Sequence, residues 1–312
     1  MNVVLLGATR RGRRVAEVLV DLVDPAEITI VSFRETAWEP PYLDDLRSFA
    51  EGRGAGFIEA RDLDALEAAP LWERSVDLLL AVSWRYLVPR AVYERARAAF
   101  VFHDSLLPAN RGFSPTVWAI ANGEDRTGVT LFEMAEDVDA GDIVDQAAVS
   151  IAAEETISTV IERVTDTYVE LLKRNLSGLL AGTAPRRPQD HSLASFCARR
   201  TRDDDRIDWE KPARRVHDLI RAVTRPYPGA LTTLEGRDLR IWAAVPEDSA
   251  PDRIGPGPGQ VVEVRSGVGS VVLTGDSALL VLEAQLDGEQ PRCAAEILDS
   301  VGQSLGGGRA AQ

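Results

Sequence analysis

The first half of the chain alternates short apolar runs with segments of helical spacing, and that alternation leaves few folds open. Asn2–Gly7, Glu27–Phe33, Gly56–Glu59, Val76–Val82 and Ala98–Phe102 are brief stretches rich in Val, Ile, Leu and Phe. Runs of that length, apolar throughout, suit strands buried on both faces of a parallel sheet. Between the first two, Val15, Val18, Leu19 and Leu22 recur at helical spacing over Arg11–Val23. Tyr42–Glu51 reads as a further helix, Thr127–Met134 and Ile143–Ala148 as further strands, and Glu155–Leu180 as a long amphipathic helix. Strands crossed by helices in this way predict an α/β fold, a Rossmann-like and mostly parallel sheet with helices on both faces.

The pattern changes after Leu180. Ala181–Gln189 (AGTAPRRPQ) has no periodicity and reads as a linker. One helix is expected over Pro212–Val223, with proline near its start. Short β-like runs follow at Ala230–Leu234, Leu239–Ala244, Gln260–Val264, Ser270–Thr274 and Leu279–Ala284, and Gly/Pro clusters such as Gly255–Gly259 separate them. Short strands so spaced predict a small barrel or sandwich, taken here as a small OB-like β-barrel. A length of 312 residues fits about two domains at roughly 150 residues each. The expected division is 1–182, a linker at 183–205, a second domain at 206–305 and a loose tail at 306–312.

Charge and composition narrow the function classes. The net charge is −14, from 35 Lys+Arg against 49 Asp+Glu. Such a balance argues against a protein that grips nucleic acid, where affinity comes from neutralising phosphates. No apolar run reaches the ~18–20 residues of a membrane span, and no export signal is visible, so a cytoplasmic location is expected. Cys197 and Cys293 lack CxxC spacing, which implies neither a disulfide framework nor a metal site, and both are expected to be buried apolar residues. Only His103, His191 and His217 offer an imidazole.

Two segments invite chemistry. Gly7–Gly12 sits between a strand and a helix, where dinucleotide-binding proteins keep GxGxxG, yet Thr9 stands at the middle glycine. That favours a plain βα turn, with a nicotinamide oxidoreductase as the competing reading. The second segment, Phe102–Asp145, is more informative. His103 leaves a buried strand and enters a loop held by Pro108, Gly112 and Pro115, and Glu136–Asp142 is dense in carboxylates. If the loops face each other, a carboxylate fixes the histidine tautomer and lets it work as a general acid or base. The competing reading is a strand-capping histidine beside a solvated turn.

This segment resembles the signature of the 10-formyltetrahydrofolate-dependent formyltransferase superfamily. The matching residues are His103, Ser105–Pro108 (SLLP), Gly112, Trp118-Ala119, Gly123-Glu124, Gly128-Val-Thr130 and Asp139-Ala-Gly-Asp142. Ala194–Phe196, Arg199-Arg200, Asp204, Ile207–Trp209, Arg221-Ala222 and Pro226–Gly229 extend the likeness over nearly the whole chain. His103–Pro108, Gly112–Pro115 and Trp84-Arg85 look closest to N5-hydroxyornithine formyltransferases of siderophore and natural-product pathways. The stretch 199–204 is similar to nucleotide-sugar N-formyltransferases. The region from Asp203 to the end carries 12 Lys+Arg and 18 Asp+Glu, unlike a tRNA-gripping domain.

The resemblance implies an enzyme that moves a formyl group from 10-formyltetrahydrofolate to a small amine or hydroxylamine, with no metal, no nucleic acid and no membrane partner. A nucleotide-aminosugar acceptor is the alternative, and a homodimer stays open. It implies His103 and Asp139 as the catalytic pair. Asp142 matches a structural position of the family. Ser83, Trp84, Tyr86, Val88, Met134, Glu136 and Val138 would line the folate pocket. Ser105, Asn110 and Arg111 would meet the acceptor, although for Arg111 a solvated arginine is the preferred reading. His191 and His217 read as structural or surface residues.

One position departs from the family. Its asparagine, two residues before the histidine, is Val101 here, and valine has no donor. Losing an oxyanion donor typically slows a reaction ~10²–10³-fold. Three readings follow: another donor such as Ser83, Asn110 or a loop N–H substitutes; the chemistry is altered, as in a deformylase or the use of another folate; or only folate binding remains.

Overall fold

The computed structural model describes residues 1–36, 41–247 and 257–306. In chain order the strands are β1 (Val3–Gly7), β2 (Ile28–Ser32), β3 (Gly56–Glu59), β4 (Leu78–Val82), β5 (Ala99–His103), β6 (Arg111–Gly112), β7 (Arg126–Glu133), β8 (Ile143–Ser150), β9 (Phe196–Cys197), β10 (Ala230–Leu234), β11 (Arg237–Glu247), β12 (Val261–Arg265), β13 (Gly269–Leu273), β14 (Ala278–Leu286) and β15 (Arg292–Cys293). The α-helices are α1 (Thr9–Leu22), α2 (Leu43–Arg53), α3 (Leu63–Glu67), α4 (Arg90–Tyr93), α5 (Pro115–Ala121), α6 (Ile157–Ala181) and α7 (Ala213–Val223).

Two compact units form. The first comprises Met1–Pro115, Arg126–Ser150 and Ile161–Ala198; the second comprises Thr116–Asp125, Ile151–Val160 and the described residues from Arg199 onward. The first is built on a seven-stranded sheet in the order β3-β2-β1-β4-β5-β7-β8. The strands from β3 to β5 pair in parallel, and β7 and β8 add antiparallel to the β5 edge. Every residue of β1 and β4 is buried, because helices cover both faces and alternate side chains point to each. The mostly parallel Rossmann-like sheet expected from the sequence is the one observed.

The second unit carries an antiparallel sheet in the order β10-β11-β14-β13-β12, with β15 on β14. Residues 303–306 stitch its two edges. Leu305 bridges to Leu234, the last residue of β10, Ser304 bridges to Gln260 next to β12, and the Gly306 N–H donates to Thr233 O at 3.0 Å. The sheet thus closes into the small barrel. Gly306 is therefore held rather than loose, and the remainder of the expected tail, 307–312, lies outside the described residues. So do Gly255 and Pro256 of the expected Gly/Pro separator.

Helix α7 brings charged groups into this unit. His217, Asp218 and Arg221 are all buried. Arg221 donates through Nε to Asp218 Oδ1 at 2.8 Å and through Nη1 to the Glu155 carbonyl at 2.9 Å. His217 Nε2 lies 3.5 Å from Glu154 Oε2, while its Nδ1 has no hydrogen-bond partner among the described residues. Burial holds this imidazole below its usual range, against the pull of Glu154.

Neither Cys197 nor Cys293 forms a disulfide, and both are half-buried rather than buried as expected. Each sits in a two-residue strand. No helix among the described residues is long and apolar enough to cross a membrane.

Candidate active site

Strands β4 and β5 run in parallel register, Val82 beside Phe102, and both end at the same level. In an open α/β sheet the loops leaving the carboxyl ends of such strands form the ligand crevice. Ser83 leaves β4 with φ 53°, and His103 is the last residue of β5. Asn110 and Asp139 are also left-handed, at φ 58° and 51°. Three non-glycine residues in that region, each costing about 1–3 kcal/mol, cluster where the structure over-determines the backbone.

The turn after His103 is tied at nearly every carbonyl. Thr127 Oγ1 donates to Asp104 O at 2.9 Å, Thr130 Oγ1 to Ser105 O at 2.6 Å, and Gln146 Nε2 to Leu107 O at 2.8 Å. Ser105 is buried and donates its hydroxyl to Ala109 O at 2.7 Å, which ties that side chain into the turn. The turn delivers Asn110 O to 2.8 Å from His103 Nε2.

Those contacts fix the imidazole. A carbonyl only accepts, so Nε2 carries the hydrogen and donates to Asn110 O. Nδ1 of the neutral ring is then a lone pair, 3.6 Å from Asp139 Oδ2. Two acceptors face each other, and a proton arriving at Nδ1 is held between them. This is the arrangement of a base whose proton-accepting nitrogen faces an oriented carboxylate, with a carbonyl behind the ring. Asp139 is itself anchored: Oδ2 accepts the Gly112 N–H at 2.7 Å, and Gln189 Nε2 donates to the Asp139 and Gly141 carbonyls at 2.9 and 2.7 Å. Gly141 is required here, since a Cβ at that position would collide with the Glu133 carbonyl.

The expected folate-pocket residues divide into groups. Val88 is buried in a core cluster against which Trp84, Val101 and Met134 pack. Trp84, Tyr86 and Phe33 form edge-to-face pairs with centroids 5.0–5.9 Å apart. Glu136 and Val138 are exposed on the acidic loop. Ser83 Oγ and Trp84 Nε1 are buried without a hydrogen-bond partner among the described residues. Buried donors are nearly always satisfied, so two orphans on adjacent residues beside an aromatic wall suit a flat polar ligand such as a pterin. Among the described residues no group of three or more His, Cys, Asp or Glu side chains could hold a metal ion.

Arg111 overturns the solvated reading. It is 4% exposed, and Nη2 donates to Gln189 Oε1 at 2.7 Å and lies 3.0 Å from His191 Nδ1. The linker supplies both partners, and β6 pairs with β9 in the same region, Arg111 beside Phe196. Val101 packs with Leu107, Phe132 and Ile143, so its surroundings are apolar.

Residues 56–176 match the family model described as formyl transferase, and residues 200–302 match that described as formyl transferase, C-terminal domain. The chain belongs to the formyl transferase family. Solved formyltransferase folds are similar to it at low identity. HypX from Aquifex aeolicus in complex with tetrahydrofolic acid is 21% identical, with a TM-score of 0.65 over 96% of this chain and 47% of that one. The chain thus spans about half the length of the HypX structures it matches. The N-formyltransferase from Helicobacter canadensis, complexed with folinic acid and dTDP-3-aminofucose, is 18% identical, with a TM-score of 0.68 over 92% of this chain and 99% of that one. A sugar N-formyltransferase from Shewanella is 21% identical, with a TM-score of 0.62 over 78% and 97%.

Several parts of this candidate site carry no signal in the sequence. Phe33, just after β2, and Tyr42, just before α2, join the aromatic wall. Gln189 and Ser195, which braces Asn110 N–H at 2.8 Å, look like ordinary polar linker residues.

Proposed function

We propose that the chain transfers a formyl group from 10-formyltetrahydrofolate to the nitrogen of a small amine or hydroxylamine. The observation that carries this reading is the His103 imidazole, fixed by Asn110 O and Asp139 at the carboxyl end of β5. The folate supplies the activated formyl group. Ser83, Trp84, Tyr86, Val88 and Met134, with the backbone of the Glu136–Val138 loop, would hold its pterin. The catalytic unit is taken as residues 1–182, and the location as cytoplasmic.

In this reading His103 Nδ1 takes the proton of the attacking nitrogen, Asp139 stabilises the imidazolium that results, and that proton passes to N10 of the folate as the formyl C–N10 bond breaks, leaving tetrahydrofolate and the N-formyl product. The negative charge growing on the formyl oxygen needs a donor that Val101 does not provide. Ser83 is the best substitute: its hydroxyl is buried and unpartnered, one strand from His103 at the same level of the sheet. A nucleotide-linked aminosugar is the second reading of the acceptor, favoured by the likeness to the Helicobacter canadensis structure.

Mass spectrometry of turnover tests this. The protein is incubated with 10-formyltetrahydrofolate and N5-hydroxyornithine, aminosugar nucleotides or no acceptor, with His103→Ala alongside. A formylated product that disappears in the variant supports transfer and names the acceptor class. Folate consumed only as formate indicates a hydrolase, and no consumption by the parent protein overturns the proposal.

A further inference from the structure

The catalytic pair leaves unused the carboxylate next to it. Asp104 is buried and follows His103 directly. Alternate residues of an extended chain face opposite ways, so Phe102 and Asp104 point away from the side that Val101 and His103 share. Their contacts agree. The Phe102 ring stacks on Tyr168 of α6 with centroids 5.1 Å apart, and the Tyr168 hydroxyl donates to Asp104 Oδ1. Arg11, in the first turn of α1, places Nη2 2.9 Å from Asp104 Oδ2.

Three elements far apart in sequence therefore converge on one carboxylate: the corner between β1 and α1, the end of β5, and the middle of α6. Tyr168 is fully buried, and burial, with Asp104 next, pushes its phenol well above the usual range, so it stays a neutral donor. Both oxygens of Asp104 are engaged, and its own carbonyl is held by Thr127. The residue is pinned through backbone and side chain together. Charge-assisted hydrogen bonds of this kind are shorter and stronger than neutral ones, and in a dry site they fix geometry. His103 is one peptide bond away, so its ring inherits that fixed origin.

We propose that Arg11, Asp104 and Tyr168 form a positioning triad for His103, holding the end of β5 so that the imidazole meets Asn110 O on one side and Asp139 on the other. The three are positioning residues. They act through His103 from the opposite side of the strand. The inference rests on the formyl-transfer reading only for what His103 does, since the geometry stands without it.

The test compares the full-length parent protein with Tyr168→Phe, Arg11→Met and Arg11→Lys. Tyr168→Phe keeps the ring stacked on Phe102 and removes one hydroxyl. Arg11 is partly accessible, which makes its variants the fallback if the phenylalanine variant fails to fold. The first readout is the ¹⁵N–¹H spectrum of the imidazoles, with His103 assigned by the signal lost in His103→Ala. The second is calorimetric binding of folinic acid, and the third is turnover of 10-formyltetrahydrofolate. The triad predicts that Tyr168→Phe and Arg11→Met lose the fixed Nε2–H signature of His103 and about 10²-fold in kcat, as expected for a displacement near 1 Å. Folinic acid binding stays near the parent value, and Arg11→Lys recovers most of the signature and rate. A His103 spectrum and kcat unchanged in Tyr168→Phe and Arg11→Met, with only the melting temperature lowered, would overturn the proposal. If folinic acid does not bind the parent protein, the formyl-transfer reading fails, and the His103 signature still decides the triad.

Discussion

Two histidines of this chain have nearly the same neighbourhood on paper. His103 in the first unit is 8% exposed and 3.6 Å from a carboxylate; His217 in the second is 3% exposed and 3.5 Å from one. What differs is what holds the carboxylate. The Asp139 side chain is 16% exposed and accepts a backbone N–H at 2.7 Å, whereas the Glu154 side chain is 64% exposed. The second ring nitrogen differs too: His103 Nε2 donates to a carbonyl, and His217 Nδ1 has no hydrogen-bond partner among the described residues. A histidine–carboxylate distance alone therefore does not mark a site. An anchored carboxylate and a committed second nitrogen do, because together they set one tautomer and one orientation.

The contrast breaks first under alanine. His103→Ala is expected to lower turnover about 10²–10⁴-fold with the melting temperature little changed, while His217→Ala leaves the rate near parent and lowers the melting temperature; parallel kinetics and thermal scans check both. Next comes the donor. Ser83→Ala should lower kcat about 10²–10³-fold if its hydroxyl steadies the oxyanion. Val101→Asn sharpens this: it places an amide in an apolar cluster, and denaturant unfolding should show a loss of about 1–3 kcal/mol with no gain in rate. A Val101→Asn protein that turned over much faster than its parent would mean that the donor had been lost rather than replaced. Gly141→Ala attacks the anchoring of Asp139, forcing the loop off the Glu133 carbonyl. It should cost about 1–3 kcal/mol of stability and reduce kcat in the same preparation.

The smallest effect belongs to His217. Its folded-state pKa lies below the unfolded value of 6.5, so the unfolded chain binds the proton first as pH falls. The contribution is fully present above that value and declines as pH drops from it toward the folded pKa. Urea unfolding at about pH 7.5 and about pH 5.5 should show this loss, and His217→Gln should remove that part of the slope.

Much of the sheet was legible because periodicity is local. Gly56–Glu59 and Ala230–Leu234 were bounded as observed, and the long helix differed by a residue or two at its ends. The pairing of β6 with β9 was not legible, since two residues joined to two others some 80 positions away leave no pattern. Arg111 was misjudged as solvated for the same reason. Its burial depends on Gln189 and His191, whose proximity only the folded linker creates. The cysteines were expected to be buried on composition, and both, in two-residue strands, are half-buried. The motif put His103 and Asp139 on the page, but not the Gly112 N–H, Gln189 and the left-handed backbone that hold them in place.

The stitch at residues 303–306 gives the second unit a vulnerability unlike anything in the first. Without it, the edge of β12 and the end of β10 beyond the Arg206–Leu231 bridge would present unpaired amide and carbonyl groups to any strand that came near. A chain cut at 302 keeps the other strands of the barrel and loses its closure. Its hazard is self-association, edge to edge, and during synthesis that hazard persists until the last strand-like residues emerge.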